Sequence, residues 1–195
     1  MILRAIIFII AFFTASISMA NEHKAEAIFA GGCFWCMQKP FDHTPGVIKT
    51  IVGYTGGHKD NPTYEEVSSG TTGHVEAIKV IYDPEKVSYS ELLNIFWKNI
   101  DPLDSGGQFC DRGSQYRSAI FYSNDSEKQA AEKSLRDLIS RNNITGEIAT
   151  EILPAGKFYP AEEYHQSYYK KNPLRYKFYR YSCGRDKRLK ELGIK

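Results

Sequence analysis

Gly31-Gly32-Cys33-Phe34-Trp35 places a cysteine where a strand ends, two glycines turn the chain and a helix begins. Backbone N–H groups at a helix start stabilise anions, which raises the thiolate fraction of a thiol held there. Phe34 and Trp35 beside it offer apolar walls. Cys33 is therefore a candidate nucleophile toward a substrate bearing a small apolar group; the alternative is a structural thiol without reactivity. Glu76 shares a face with Ile78 and Val80 by strand alternation. A carboxyl on an otherwise apolar face is desolvated, which favours its protonated form and suits a general acid; the alternative is a solvated glutamate at a strand end. Tyr64 and Tyr116 carry phenols that can donate to a developing oxyanion. Asp111, in Cys110-Asp111-Arg112-Gly113, can orient such a network or simply serve a turn.

The other thiols leave several readings open. Cys33-Phe34-Trp35-Cys36 is a C-x-x-C, the spacing of dithiol oxidoreductases and of half a zinc site. Cys110 and Cys183 stand alone, without a second C-x-x-C. A thiol:disulfide oxidoreductase using Cys33 and Cys36, and a zinc-stapled binding module, are the rival classes. Cys183 lies in a tail that reads as flexible, which suits a resolving thiol that swings to a sulfenic acid and closes a disulfide.

These residues need a scaffold. Residues 26–30 read as a buried strand, 33–41 as a short helix, 47–54 as a β-branched strand and 74–82 as the clearest strand. Ser88 and Glu91 form a capping box for a helix reaching about Ile100, with Leu92, Leu93, Phe96, Trp97 and Ile100 at helical spacing. Residues 116–122 read as a strand, Asn124 caps a helix to about Arg141, 147–153 read as a further strand, and Pro160 opens a short helix through Tyr169. The β-α-β-β-α-β order argues for an α+β fold, a ferredoxin-like split β-α-β sandwich. Two long connections, 56–73 and 101–115, are the expected walls of a site, and the C-terminal tail is expected to be irregular. With eight Lys/Arg against two Asp/Glu, residues 174–195 form a basic tail: a solvated segment, or a patch for an acidic partner.

Gly32-Cys33-Phe34-Trp35 resembles the signature of the A-type peptide methionine sulfoxide reductases. Gly53-Tyr54-Thr55-Gly56-Gly57, Pro62-Thr63-Tyr64, Thr72-Gly73-His74-Val75-Glu76, Gln115-Tyr116-Arg117-Ser118 and Ala161-Glu162-Glu163-Tyr164-His165-Gln166 match that family in order. The resemblance covers about residues 26–170. It implies Cys33 as the attacking thiolate, Glu76 as proton donor, Tyr64 and Tyr116 as donors to the sulfoxide oxygen and Asp111 as their support. It further implies that Phe34 and Trp35 hold the substrate methyl group and that Cys183 is the resolving cysteine. The implied reaction reduces methionine S-sulfoxide, free or in oxidised proteins, through a sulfenic acid and an intramolecular disulfide that a thioredoxin-like reductant reopens. No metal or organic cofactor is implied. Cys36 stands where many members have glycine, and Cys110 where a polar residue is usual; either competes with Cys183 as the resolving thiol.

The first twenty residues read separately from the fold. Arg4 and the apolar run 2–13 are too short to span a bilayer, and Ser18-Met19-Ala20 suits signal-peptidase cleavage. Residues 1–20 are expected to be a signal peptide and 21–195 one catalytic domain, exported to the periplasm or secreted, with no stable membrane association once cleaved. Export places the thiols in an oxidising compartment. Composition excludes the remaining classes. The chain has 195 residues, 42% hydrophobic and 25% charged, the balance of a soluble globule, which rules out disorder and coiled coil. A formal charge of +2 gives no bulk argument for nucleic acid. No apolar stripe is left over for a partner, so a monomer is expected.

Overall fold

The computed structural model describes residues 23–194; the leader read at 1–20 lies outside the described residues. The chain runs β1 (Ala25–Gly31), α1 (Phe34–Asp42), β2 (Val47–Thr55), α2 (Tyr64–Ser68), β3 (Val75–Tyr82), α3 (Tyr89–Trp97), β4 (Gly107–Gln108), β5 (Asp111–Arg112), β6 (Ser118–Tyr122), α4 (Asp125–Asn142), β7 (Glu151–Pro154), β8 (Tyr159–Pro160), α5 (Tyr168–Lys171), α6 (Pro173–Ser182) and α7 (Arg185–Leu192). The main sheet has the order β7-β6-β1-β3-β2-β8. Its centre, β6-β1-β3-β2, is wholly antiparallel. This is the strand order of the split β-α-β sandwich, with β1 inserted between β3 and β6 and with β3 between β1 and β2.

Strand alternation divides the sheet into two faces. Ala27 and Phe29 of β1, Ile78 and Val80 of β3 and Ile120 of β6 pack under Met37 and Phe41 of α1, Leu92, Leu93 and Phe96 of α3 and Ala131 and Leu138 of α4. Phe29 is fully buried and stacks on Phe41, centroids 5.3 Å apart, and on Phe96 at 5.4 Å. Ile28, Ala30, Val75, Ala77 and Phe121 form the opposite face, under Leu153 and Phe158. Glu76 lies in register on the helix face, one pleat beyond Ile78, and burial there brings it under the start of α1.

Local capping sets most boundaries. Ser88 accepts from the N–H of Glu91, whose side chain accepts from the Ser88 N–H. Thr63 and Glu66 make the same box and fold α2 within the first long connection. Asn124 caps α4.

Four expected elements are corrected. Pro160 does not open a helix: Tyr159 and Pro160 pair with Tyr54 and Gly53 as an edge strand, a position that tolerates the missing proline N–H. The segment after it follows β2, because the Gln166 side-chain amide pairs with both backbone groups of Val52. The strand expected at 147–153 begins at Glu151, since Ala149 donates to Pro102 O and the chain before it packs over the second long connection. The strand expected from Tyr116 begins at Ser118, after a 3-10 turn over Ser114–Tyr116. The tail is not irregular. α6 and α7 are helical, and Arg185, the first residue of α7, is 1% exposed.

Phe29 joins α1 and α3 to the central strand. Phe29→Ala is expected to lower stability by about 3–5 kcal/mol, read as an earlier urea unfolding midpoint. An unchanged midpoint would contradict this account of the core.

Candidate active site

The turn after β1 is tight because Gly32 adopts φ +75°, a conformation favouring glycine, and a side chain there would strike Gln108. It delivers Cys33 to the cap position of α1. Phe34, the first helical residue, donates its N–H to Glu76 Oε2 at 3.0 Å. The N–H groups of Cys36 and Met37 turn back onto Cys33 O, and the Cys33 side chain makes no cap hydrogen bond. The expected ionisation of Cys33 by the helix terminus is thus not carried by a cap hydrogen bond. Burial pushes the Cys33 thiol well above the ordinary range, and its hydrogen bond to Cys36 and the nearby Cys36, Glu76 and Asp111 push the same way. Cys36 shifts downward, through the Cys33 hydrogen bond and against its own burial, with Arg185 and Arg180 assisting.

Burial raises Glu76 from 4.5 to about 8, against the Phe34 hydrogen bond that lowers it and with Asp111 and Cys36 raising it further. At neutral pH it is mostly a neutral acid. It accepts Phe34 N–H on one oxygen and keeps the other for its proton.

Cys33, Phe34, Trp35, Tyr64, Glu76, Asp111, Tyr116 and Tyr179 line one cavity of about 80 Å³. A space this small suits a small polar head with a methyl group. Two larger surface grooves, of about 550 and 570 Å³, contain no cysteine. The first long connection brings Tyr64 on α2, whose N–H donates to Glu162 at 2.9 Å. The second brings Asp111 on β5 and Tyr116 just before β6. Burial raises both phenols, so they remain donors across the ordinary pH range. The Trp35 indole stacks on Tyr168, centroids 3.8 Å apart, and donates Nε1–H to His165 Nδ1 at 3.1 Å.

Cys183 is joined to Cys110, with Cα atoms 4.9 Å apart, while Cys33 and Cys36 are free. Two of the four thiols that the zinc reading requires are therefore paired with each other. Cys183 Sγ lies 3.9 Å from Asp111 Oδ2, at the edge of the cavity, and Cys110 is exposed. Cys33 and Cys183 are not bonded in this state.

Sequence reasoning missed three side chains here. Tyr179 of α6 donates to both Asp111 oxygens at 2.6 Å and stands edge-on to Trp35. Its only signal was its place four residues before Cys183 in a tail read as solvated. His165 lies in the Ala161–Gln166 stretch, which gives it no role by itself. Arg185 reads only as one of the basic tail charges.

A thiol sharing a small buried cavity with a neutral acid, carried on a split β-α-β sandwich, defines a thiol-dependent oxidoreductase. The family model described as peptide methionine sulfoxide reductase matches residues 25–193. The peptide methionine sulfoxide reductase MsrA of Bacillus subtilis is 56% identical over 165 residues, covering 85% of this chain and 93% of that protein. Methionine sulfoxide reductase A of Corynebacterium diphtheriae superposes with a TM-score of 0.73 at 38% identity, over 77% of this chain and 76% of that one. Reduced Mxr1 of Saccharomyces cerevisiae gives 0.72 at 33% identity, over 77% and 87%. The chain belongs to the peptide methionine sulfoxide reductase family, A type.

Glu76 has a consequence for stability. Its folded pKa exceeds its unfolded one, so between pH 4.5 and about 8 the unfolded chain releases a proton that the folded chain retains. Stability from this group is present below that window and lost as pH rises through it. Glu76→Gln has no such proton. The melting temperature of the variant relative to wild type is expected to rise by several degrees from pH 5 to pH 8; a difference independent of pH would refute the buried neutral acid.

Proposed function

We propose that this protein reduces the S epimer of methionine sulfoxide, free or within oxidised proteins and peptides, with Cys33 as nucleophile and Glu76 as proton donor. The observation that carries this reading is the buried meeting of the two groups, tied through Phe34 N–H on the wall of a cavity lined by phenols.

The Cys33 thiolate attacks the sulfoxide sulfur while the Glu76 proton passes to the oxygen. Tyr64 and Tyr116 donate to that oxygen as charge develops on it, where a buried donor stabilises most. Asp111 supports the network, and Phe34 and Trp35 take the methyl group. Methionine departs and Cys33 is left as a sulfenic acid. Cys183, as a thiol, condenses with it to a Cys33–Cys183 disulfide and water. Cys110 then attacks Cys183, returning Cys33 as a thiol and leaving Cys110–Cys183. That is the pairing found, with Cys33 free and the disulfide at an exposed cysteine.

A thioredoxin-like dithiol restores both thiols by exchange. The yeast relative Mxr1 has been solved in complex with Trx2, which supports a reductant of that kind. Every electron in the scheme comes from cysteine sulfur and then from that dithiol, so the scheme draws on no metal or organic cofactor. The working form is a monomer.

Methionine formation from methionine S-sulfoxide with a dithiol reductant tests the reading. Cys33→Ser is expected to abolish it and Glu76→Gln to lower kcat/KM by about 10²-fold or more. In wild type the rate should fall as pH rises through about 8, as Glu76 loses its proton. A Glu76→Gln enzyme close to wild type would favour a general thiol:disulfide oxidoreductase instead.

Export belongs to the same proposal and rests on residues 1–20. Intact mass of protein recovered outside the cytoplasm should give a chain beginning at Asn21. A chain retaining Met1, or confined to the cytoplasm, would overturn it.

A further inference from the structure

Arg185 is the largest fully buried side chain of the described residues. Its Nη2 donates to Gly31 O at 2.7 Å and to Asn99 O at 2.8 Å, and lies 3.2 Å from Met37 Sδ. The guanidinium also lies over the Phe109 ring, 4.4 Å from its centroid. Nε and Nη1 are buried without a hydrogen-bond partner. No carboxylate is among these contacts. Nη1 instead faces the Gly32 turn, 3.7 Å from where a Gly32 side chain would begin. A buried guanidinium carries its charge at any ordinary pH, and an uncompensated buried charge is heavily penalised. Some anion must therefore stand close to it.

The group that meets this need is the dithiol next to that turn. Cys33 and Cys36 are both buried, both free and packed in one buried cluster. The groups facing the pair are Tyr64 from α2, Glu76 from β3, Asp111 from β5, Tyr116 before β6, Tyr176, Tyr179 and Arg180 from α6, and Arg185 from α7. Arg180 is already paired with Asp186, at 2.6 Å. Glu76 is mostly neutral, and Asp111 accepts from Tyr179 on both oxygens. Arg185 also acts on Asp111, drawing it downward, but has no hydrogen-bonded carboxylate of its own, and it is the cation left to answer a thiolate.

We propose that Arg185 is the counter-ion of the Cys33–Cys36 pair, a positioning residue whose buried charge keeps the pair at one proton and one negative charge. The inference rests on the reading of Cys33 as the nucleophile and adds how it is ionised. Resting charge sits on Cys36, the thiol whose anion Arg185 and Arg180 favour. For attack, the Cys33 proton passes to the neighbouring Cys36 thiolate in the same buried cluster, giving Cys33 thiolate and Cys36 thiol. No proton enters from solvent, and Glu76 keeps its own for the oxygen. The cation lies two residues beyond Cys183, on the tail that the Cys110–Cys183 disulfide pins to the domain.

Thiolate titration tests this on the intact chain with its disulfide closed, so that Cys33 and Cys36 alone respond. Absorbance at 240 nm in wild type should show one thiolate per chain forming well below the ordinary free-thiol value of about 8.5. No such step would overturn the proposal without any variant. Alkylation by iodoacetamide, read at each cysteine by peptide mass, is then compared at pH 7. Arg185→Met is expected to slow it about tenfold, a shift of one unit in thiolate fraction. Arg185→Lys, which keeps the charge, should stay within about threefold of wild type. A merely structural role would lower the melting temperature of both variants and leave the titration midpoint in place; that result overturns the proposal, as does a wild-type profile in Arg185→Met. Failure here with Cys33→Ser inactive would leave the reductase reading intact, whereas activity in Cys33→Ser would remove that reading itself.

Discussion

The hydrogen bond from Phe34 N–H to Glu76 is the constraint on which the site is built. A helix start leaves N–H groups without partners, and a carboxyl placed on the apolar face of a central strand needs a donor. Each solves the other's problem. The bond fixes the β1–α1 turn against β3, so Cys33 and the acid take up a set separation before any substrate arrives. It also divides the available donors. With Phe34 committed to Glu76, and Cys36 and Met37 committed to Cys33 O, the helix start makes no cap hydrogen bond to the Cys33 side chain. Burial then decides both titrations in the same sense: it holds Glu76 neutral and disfavours an isolated Cys33 anion. One environment thus supplies the acid and withholds the nucleophile, and the nucleophile has to be ionised from elsewhere.

The tail supplies what the helix start does not. α6 touches the domain through few buried side chains, while Leu174, Phe178 and Tyr181 are largely exposed. What it does place inside is specific. Tyr179 closes the cavity wall and holds Asp111, Cys183 brings the second sulfur, and Arg185 brings the buried charge. Arg188 pins the following turn to Asp101, 2.7 Å away. A segment that reads as solvated from its charge count is therefore tethered at four points along one edge of the site.

Much of the frame is legible in the amino-acid order because its causes are local. The alternation over β3 shows which residues share a face and places Glu76 among Ile78 and Val80. Ser88 with Glu91, and Asn124 with Glu127, mark helix starts by side chains three residues apart. The Gly31-Gly32 pair announces the turn before Cys33. What escapes is what depends on partners far along the chain. Pro160 looks like a helix opener until Gly53 and Tyr54 take it as an edge strand. Gln166 looks unremarkable until its amide reaches Val52, 114 residues away in sequence. The Cys110–Cys183 pairing spans 73 residues, and no spacing rule selects it. Arg185 is the sharpest case, since its burial follows from the shape left between the Gly32 turn, Met37, Asn99 and Phe109, which no window of sequence around it contains.

The size of the cavity explains why so much of the chain converges on it. A space of about 80 Å³ holds a sulfoxide head and little more, so recognition rests on a methyl group, a sulfur and one oxygen. None of these offers a charge to grip. Affinity for such a head is intrinsically low, and the useful interactions are those that strengthen as the oxygen takes up negative charge and then a proton. Two phenols and a neutral carboxyl meet that requirement, because each is a donor that burial keeps protonated. The price is a pocket crowded with acids around a thiol, where every neighbour but the arginines opposes its ionisation. A positive charge set behind the Gly32 turn, out of the cavity itself, relieves that conflict without placing a cation where it would compete with Glu76 for the oxygen.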